Sequence, residues 1–280
     1  MATTSTVEGP FLFFQRTYFL LALATVVEHI RRSVGKKLRT YVQQAYGREI
    51  IIRNTVGTFS VNAKNDSFTK ALASFEYKHQ RWLDEALERE IFLDIGANIG
   101  FYSILAVKKY GFQKVHAFEP NPESYERLEK NIQLNNLADK VSLHSIGMGN
   151  TKGRAILTAK RVHVGASTLV KNKAPRGSAD LVEVSLDTFD NISRDAGIKA
   201  EDVSFIKIDV EGYEYQVLTG MEKTLKNLKT GTCLFIEIHP AAPRAAETKH
   251  MITDAEFTFV TSSPQKNFLY KKVSNHSRHA

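Results

Sequence analysis

Cysteine occurs once in the 280 residues, at Cys233. A single thiol excludes an intramolecular disulfide and any zinc site built on thiolates. Its setting, the apolar run Thr232-Cys233-Leu234-Phe235-Ile236, marks a buried strand thiol rather than a nucleophile. Long apolar runs are also missing. Residues 11–27 are rich in Phe and Leu, but Gln15 and Arg16 interrupt them. The longest unbroken part, 18–27, holds ten residues, too few to span a bilayer. No basic segment precedes it and no small-residue cleavage site follows, which argues against a secretory signal. There is no internal repeat and no low-complexity segment. Two stretches lack acid altogether. Residues 31–48 carry Arg31, Arg32, Lys36, Lys37, Arg39 and Arg48, and residues 152–176 carry Lys152, Arg154, Lys160, Arg161, Lys171, Lys173 and Arg176.

What is present describes a globular protein. Hydrophobic residues make up 42% and charged residues 24%, and the net charge of +8 favours an anionic partner without choosing one. The basic stretches read as solvated faces or as anion contacts. Phe11, Phe14, Tyr18 and Leu21 fall at helical spacing, so residues 11–45 read as a helix. Docked on the domain, it is an extension; followed by its basic run, it suits a membrane surface, with contact through residues 11–40. The single thiol fits a reducing, cytoplasmic compartment, with membrane association as the second option.

Three regions follow: an N-terminal helical and basic extension (1–48), a small strand-helix lead-in (49–90), and a main domain (91–280) with a basic insertion at about 150–186. In the lead-in, two short strands flank Gly57. Phe68, Leu72, Phe75, Trp82, Leu83 and Leu87 predict a helix over 67–90, with Trp82 in the core. From residue 91 short apolar strands alternate with helices: strands at 91–95, 115–118, 141–143, 205–208 and 233–238, and helices at 101–110, 122–135 and 214–228. Residues 150–186 read as strands and loops, 245–254 as a helix, and 256–261 with 268–272 as a closing hairpin. This alternation predicts an α/β fold with a mostly parallel sheet buried on both faces. Ligands in such sheets bind beyond the carboxyl ends of the strands, so the residues there carry the interest.

After the first core strand comes Asp94-Ile95-Gly96-Ala97-Asn98-Ile99-Gly100. The glycines allow close backbone approach, and Asp94 places a carboxylate where a cationic ligand would be welcome. The Gly-x-x-x-Gly spacing, with Asn98 where a middle glycine would stand, disfavours a dinucleotide and hence a dehydrogenase. After the second strand comes Glu119-Pro120-Asn121-Pro122, a strand-tip carboxylate suited to the two hydroxyls of a ribose, with Pro122 opening the next helix. Asp209 and Glu211 follow the fourth strand, and Glu237 and His239 the fifth, on tips expected to neighbour the first strand. They read as structural salt bridges or as a catalytic or metal-binding cluster.

The runs IFLDIGANIGFYS, AFEPNPESYERLEKNIQLNN, VSLDTF and FIKIDVEGYEYQVLTG together resemble the FkbM family of methyltransferases over roughly residues 55–272. The resemblance implies a Rossmann-like class I methyltransferase fold whose last strand, of seven, is antiparallel. It implies S-adenosylmethionine as cofactor and O-methylation, most often of a sugar hydroxyl. By resemblance, Asp94, Gly96, Ala97, Asn98 and Gly100 line the methionine end, Tyr102 and Ser103 follow on the first helix, and Glu119, Pro120 and Asn121 surround the ribose. The segment around Gly147 passes the adenine, with no firm partner for its amino group. Asp209 and Glu211 lie by the transferred methyl.

An aliphatic hydroxyl needs a base or a divalent ion to become a nucleophile. His239 or Asp209 is the expected base, with Glu211 and Glu237 orienting it. Alternatively Asp209, Glu237 and His239 hold magnesium or manganese. The basic stretch at 152–176 points to an anionic small-molecule or glycan acceptor. Methylation of a nucleic-acid ribose is an alternative, weakened by the lack of aromatics interleaved with the basic runs. A catalytically silent adaptor is the remaining one.

Overall fold

The structure, a computed structural model, describes residues 49–62, 77–160, 179–242, 244–264 and 266–274. The expected helix at 11–45, the basic run at 31–48, the start of the helix at 67–90 and most of the basic stretch at 152–176 lie outside these residues.

A seven-stranded sheet organises the molecule. Its strands in chain order are β3 (Ile91–Ile95), β4 (Lys114–Phe118), β5 (Val141–His144), β9 (Val203–Ile208), β10 (Cys233–Glu237), β11 (Phe257–Ser262) and β12 (Asn267–Lys272). Across the sheet they run β11-β12-β10-β9-β3-β4-β5. The pairs β3–β4, β4–β5, β3–β9 and β9–β10 are parallel, whereas β12 runs antiparallel to both neighbours. This is the class I methyltransferase arrangement. All six residues of β9 are buried, as two helix-covered faces require. The order reverses at β3 and β9, which opens a crevice between their carboxyl ends.

The helices α2 (Phe101–Lys108), α3 (Pro122–Leu134) and α7 (Ala245–Asp254) lie close to their expected bounds. Asn121 caps α3 by accepting the Glu123 N–H at 3.0 Å, and Pro122 opens it. A helix not anticipated, α4 (Phe189–Ala196), starts at Thr188 and ends at a left-handed Gly197. The helix expected over 214–228 is instead two, α5 (Glu214–Thr219) and α6 (Glu222–Asn227). The restart is held by Asp190, whose carboxylate accepts the amides of Lys223 at 3.0 Å and Thr224 at 2.9 Å.

The lead-in also departs from its pattern. After α1 (Tyr77–Gln80) and a 3-10 turn at Arg81–Glu85, the chain extends at Ala86 rather than staying helical to 90. Leu87 is 81% exposed instead of facing the core. Trp82 does pack inward, edge-on to Phe235 at 5.1 Å.

The hairpin β1 (Glu49–Arg53) and β2 (Thr58–Asn62) rests on α3. Phe59 stacks on Phe101 at 5.7 Å, so these strands share the core of the main sheet. Two asparagines, one within α3 and one at its end, seal β2. Asn131 Oδ1 accepts the Ser60 N–H at 2.6 Å, and Asn135 accepts the Thr58 N–H at 3.0 Å while donating to its carbonyl at 2.6 Å. Asn131 also donates to the Ile99 carbonyl at 2.8 Å, tying the hairpin to the glycine loop.

Of residues 150–186, the described ones (150–160 and 179–186) are mainly strand, in line with the strands and loops expected there. The short strand β6 (Gly147–Met148) pairs with β8 (Ala179–Asp187), which pairs with β7 (Gly153–Lys160), making a small second sheet beside the crevice.

Candidate active site

The crevice at the carboxyl ends of β3, β4 and β9 contains a cavity with about 580 Å³ of empty space, part of it open to solvent. Ile95, Gly96 and Asn98 form its floor, and Phe118, Glu119 and Pro120 one side. Ile146, Gly147, Met148 and Leu157 give an apolar wall, and Asp209, Val210 and Glu211 close the opposite side. Glycine at 96 is required here. Its φ is +81°, and a Cβ on it would fall 2.0 Å from the Asp209 carbonyl oxygen.

Glu119 is held by backbone. Its Oε2 accepts the Asn98 N–H at 2.8 Å and its Oε1 accepts the Asn121 N–H at 2.8 Å. An ionised carboxylate is an acceptor only, which is the chemistry a ribose diol needs. Nearby, Asn98 Oδ1 is buried with no hydrogen-bond partner. On the opposite side Glu211 has φ +53°, a left-handed conformation uncommon for its residue type.

Several expected residues stand behind this cavity rather than in its lining. Asp94 is fully buried, accepts the Ser103 hydroxyl at 2.7 Å and pairs with Lys207 at 3.2 Å. Ser103 is thus engaged by Asp94. Tyr102 lies under Lys207, with the ammonium 5.3 Å from its ring centre. Ala97 and Asn121 are buried supports, and a Cβ at Gly100 would meet Leu128 at 2.6 Å, so that glycine serves helix packing.

The fifth strand is a second correction. β10 adjoins β9 and not β3, so Glu237 and His239 stand one strand farther from the crevice than expected and do not line the cavity. Glu237 is paired with Lys266 at 2.9 Å, and the exposed His239 accepts the Ala241 N–H at its Nδ1, at 3.0 Å. Among the described residues no three His, Cys, Asp or Glu side chains come together as a metal site. Asp209, Glu237 and His239, the expected magnesium or manganese ligands, do not form such a group. Cys233 is buried, and burial pushes its thiol up to about 11, in keeping with an inert strand cysteine.

Three groups escaped the motif reading. One is Lys207, a charge inside the apolar run Phe205-Ile206-Lys207-Ile208; a cation in a buried strand needs partners, and that was its signal. Another is the His116–His144 pair, with Nδ1 to Nε2 at 3.2 Å and the His144 ring 4.4 Å from that of Phe118. The third is Glu214, 3% exposed, whose Oε1 accepts the Gly212 N–H at 2.8 Å.

Burial pushes the Glu214 carboxyl up from 4.5 to about 7, with Asp209 and Glu237 acting in the same direction against its backbone hydrogen bonds. The stability this group contributes is full below pH 4.5 and is lost as pH rises through about 7. His116, lowered to about 4 by burial and then by His144, acts in the opposite sense: its contribution is lost as pH falls from 6.5 through about 4. Subtracting a Glu214→Gln variant from wild type cancels the histidine. Urea denaturation should then show the wild type losing about 3 kcal/mol relative to the variant between pH 4.5 and 7.5. A parallel pH dependence in the two proteins would refute the assignment.

The model of the methyltransferase FkbM domain matches residues 94–261. The chain belongs to the FkbM methyltransferase family. Two curated relatives are similar to it. Methyltransferase sdnD of Sordaria araneosa is 34% identical over 157 residues, covering 47% of this chain and 60% of that protein. Hexuronic acid methyltransferase AglP of Haloferax volcanii is 27% identical over 179 residues, covering 63% and 66%. The match thus spans roughly three-fifths to two-thirds of each relative. The FkbM region starts at Asp94 and takes in every residue that lines the cavity, from Ile95 to Glu211, so the crevice lies within the family's own segment. Among the described residues, no helix is long and apolar enough to cross a membrane.

Proposed function

We propose that this chain is an S-adenosylmethionine-dependent O-methyltransferase acting on a hydroxyl of a sugar or glycoconjugate. The observation that carries the reading is the pairing, in one cavity, of the braced Glu119 with Asp209 and Glu211 opposite it. The residues fit the cofactor. Glu119 offers acceptors to a ribose diol, Asn98 Oδ1 is a buried acceptor without a partner, and Ile146, Met148 and Leu157 give an apolar slot for a purine. When bound, S-adenosylmethionine supplies a methyl group already activated on a sulfonium.

The protein's share of the work is alignment and proton removal. Asp209 and Glu211 line the cavity across from Glu119, the side left for an acceptor once the ribose meets Glu119. Asp209 takes the hydroxyl proton, and Glu211, projected by its left-handed backbone, orients the acceptor. His239, exposed and engaged with Ala241, leaves that role to Asp209. The hexuronic acid named for the Haloferax relative supports a sugar acceptor.

The test is transfer of label from S-adenosylmethionine to sugar, acidic glycan, lipid, peptide and RNA acceptors in parallel. Label on a glycan hydroxyl is expected. Label on RNA alone, with a steep dependence on salt, would replace the sugar with a nucleic acid.

A further inference from the structure

Lys207 is 4% exposed and sits in β9, facing the first turn of the glycine loop. Its Nζ lies 3.2 Å from Asp94 Oδ1, 3.2 Å from the Gly96 carbonyl oxygen and 3.8 Å from Asp209 Oδ2. Two of these partners, Gly96 and Asp209, are spatially adjacent residues of the cavity lining, and the third is the buried carboxylate that opens the family segment. One ammonium thus joins the loop after β3 to the loop after β9. The Tyr102 ring below it fixes its depth.

We propose that Lys207 is a positioning residue that sets the spacing between the cofactor loop and the acceptor-side carboxylate. Asp94, on this account, is not a ligand for the cofactor. It is the buried counter-charge that anchors Lys207, and Ser103 in turn anchors Asp94. The arrangement suits methyl transfer, an in-line reaction that tolerates little error between donor and acceptor. A mobile link between the two loops would lose that alignment, whereas a buried ammonium with one backbone hydrogen bond and two ion-pair partners holds it. Gly96 enters the same device, since its lack of a side chain lets the Asp209 carbonyl approach closely.

This inference rests on the cofactor proposed above, and the experiment separates the two. S-adenosylhomocysteine is titrated calorimetrically into the full chain, and thermal midpoints are recorded, for wild type, Lys207→Met and the double variant Asp94→Asn/Lys207→Met. The single variant strands a buried carboxylate and should lose about 10 °C in midpoint. The double variant removes both charges together and should return to within about 3 °C of wild type. Its dissociation constant should nevertheless stay about tenfold or more above wild type, because the loops are no longer tied. Stable, wild-type-like binding by the double variant would overturn the proposal, leaving Lys207 as charge balance for Asp94 alone. A wild-type chain that takes up no S-adenosylhomocysteine would overturn the cofactor reading and this one with it.

Discussion

Replacing Glu119 with alanine should raise the dissociation constant for S-adenosylhomocysteine about 100-fold or more, since two hydrogen bonds to a charged acceptor contribute at least about 3 kcal/mol together. The loss has two sources. A ribose diol would find no acceptor at the tip of β4. The amides of Asn98 and Asn121, which both donate to this carboxylate at 2.8 Å, would lose their partner and with it the set of the glycine loop. Glu119→Gln should fall between the two, because its amide nitrogen has to face one of those N–H groups. Isothermal calorimetry on the three proteins decides it. Binding by the alanine variant within threefold of wild type would remove Glu119 from the site.

Gly96→Ala should be the most destabilising small substitution in the crevice. The φ of +81° alone costs an alanine about 1–2 kcal/mol. Steric overlap costs more. The new Cβ would lie 2.0 Å from the Asp209 carbonyl oxygen, which is backbone and cannot swing aside. Moving it means parting β3 from β9 near the Asp209 N–H to Ile95 hydrogen bond of 3.0 Å. We expect a total loss of about 3–5 kcal/mol, near 10 °C in thermal midpoint. Gly111→Ala separates the backbone cost from the steric one. Gly111 has a similar φ of +74° and nothing within 4 Å of its would-be Cβ, so it should show the conformational cost alone. Equal midpoints for the two variants would contradict the close approach.

Gly96 and Asp94, two residues apart, differ in how far the sequence alone reveals their roles. The glycine loop, the strand-tip Glu119 and the capped start at Pro122 all rest on interactions set by short stretches of chain, and each lies where its spacing predicts. Asp94 could not be read the same way. A carboxylate at a strand end points outward to a ligand or inward to a buried cation, and the deciding partner, Lys207, lies more than a hundred residues along the chain. The break between α5 and α6 has the same character, because its cap, Asp190, comes from 33 residues upstream. His239 was misplaced by topology: the local pattern identified β10 as a strand but not its place beyond β9. Of the helices, α4 was missed against a local signal, with Thr188 before it and Gly197 after it.

The two asparagines beside β2 have a consequence beyond holding the hairpin. In a two-stranded sheet the outer edge of each strand is a template on which another chain can add a strand. Asn131 and Asn135 occupy that edge at Thr58 and Ser60, offering amide groups where a third strand would place its backbone. A helix thereby does the work of a neighbouring strand along β2, and that edge of the hairpin is closed to strand addition.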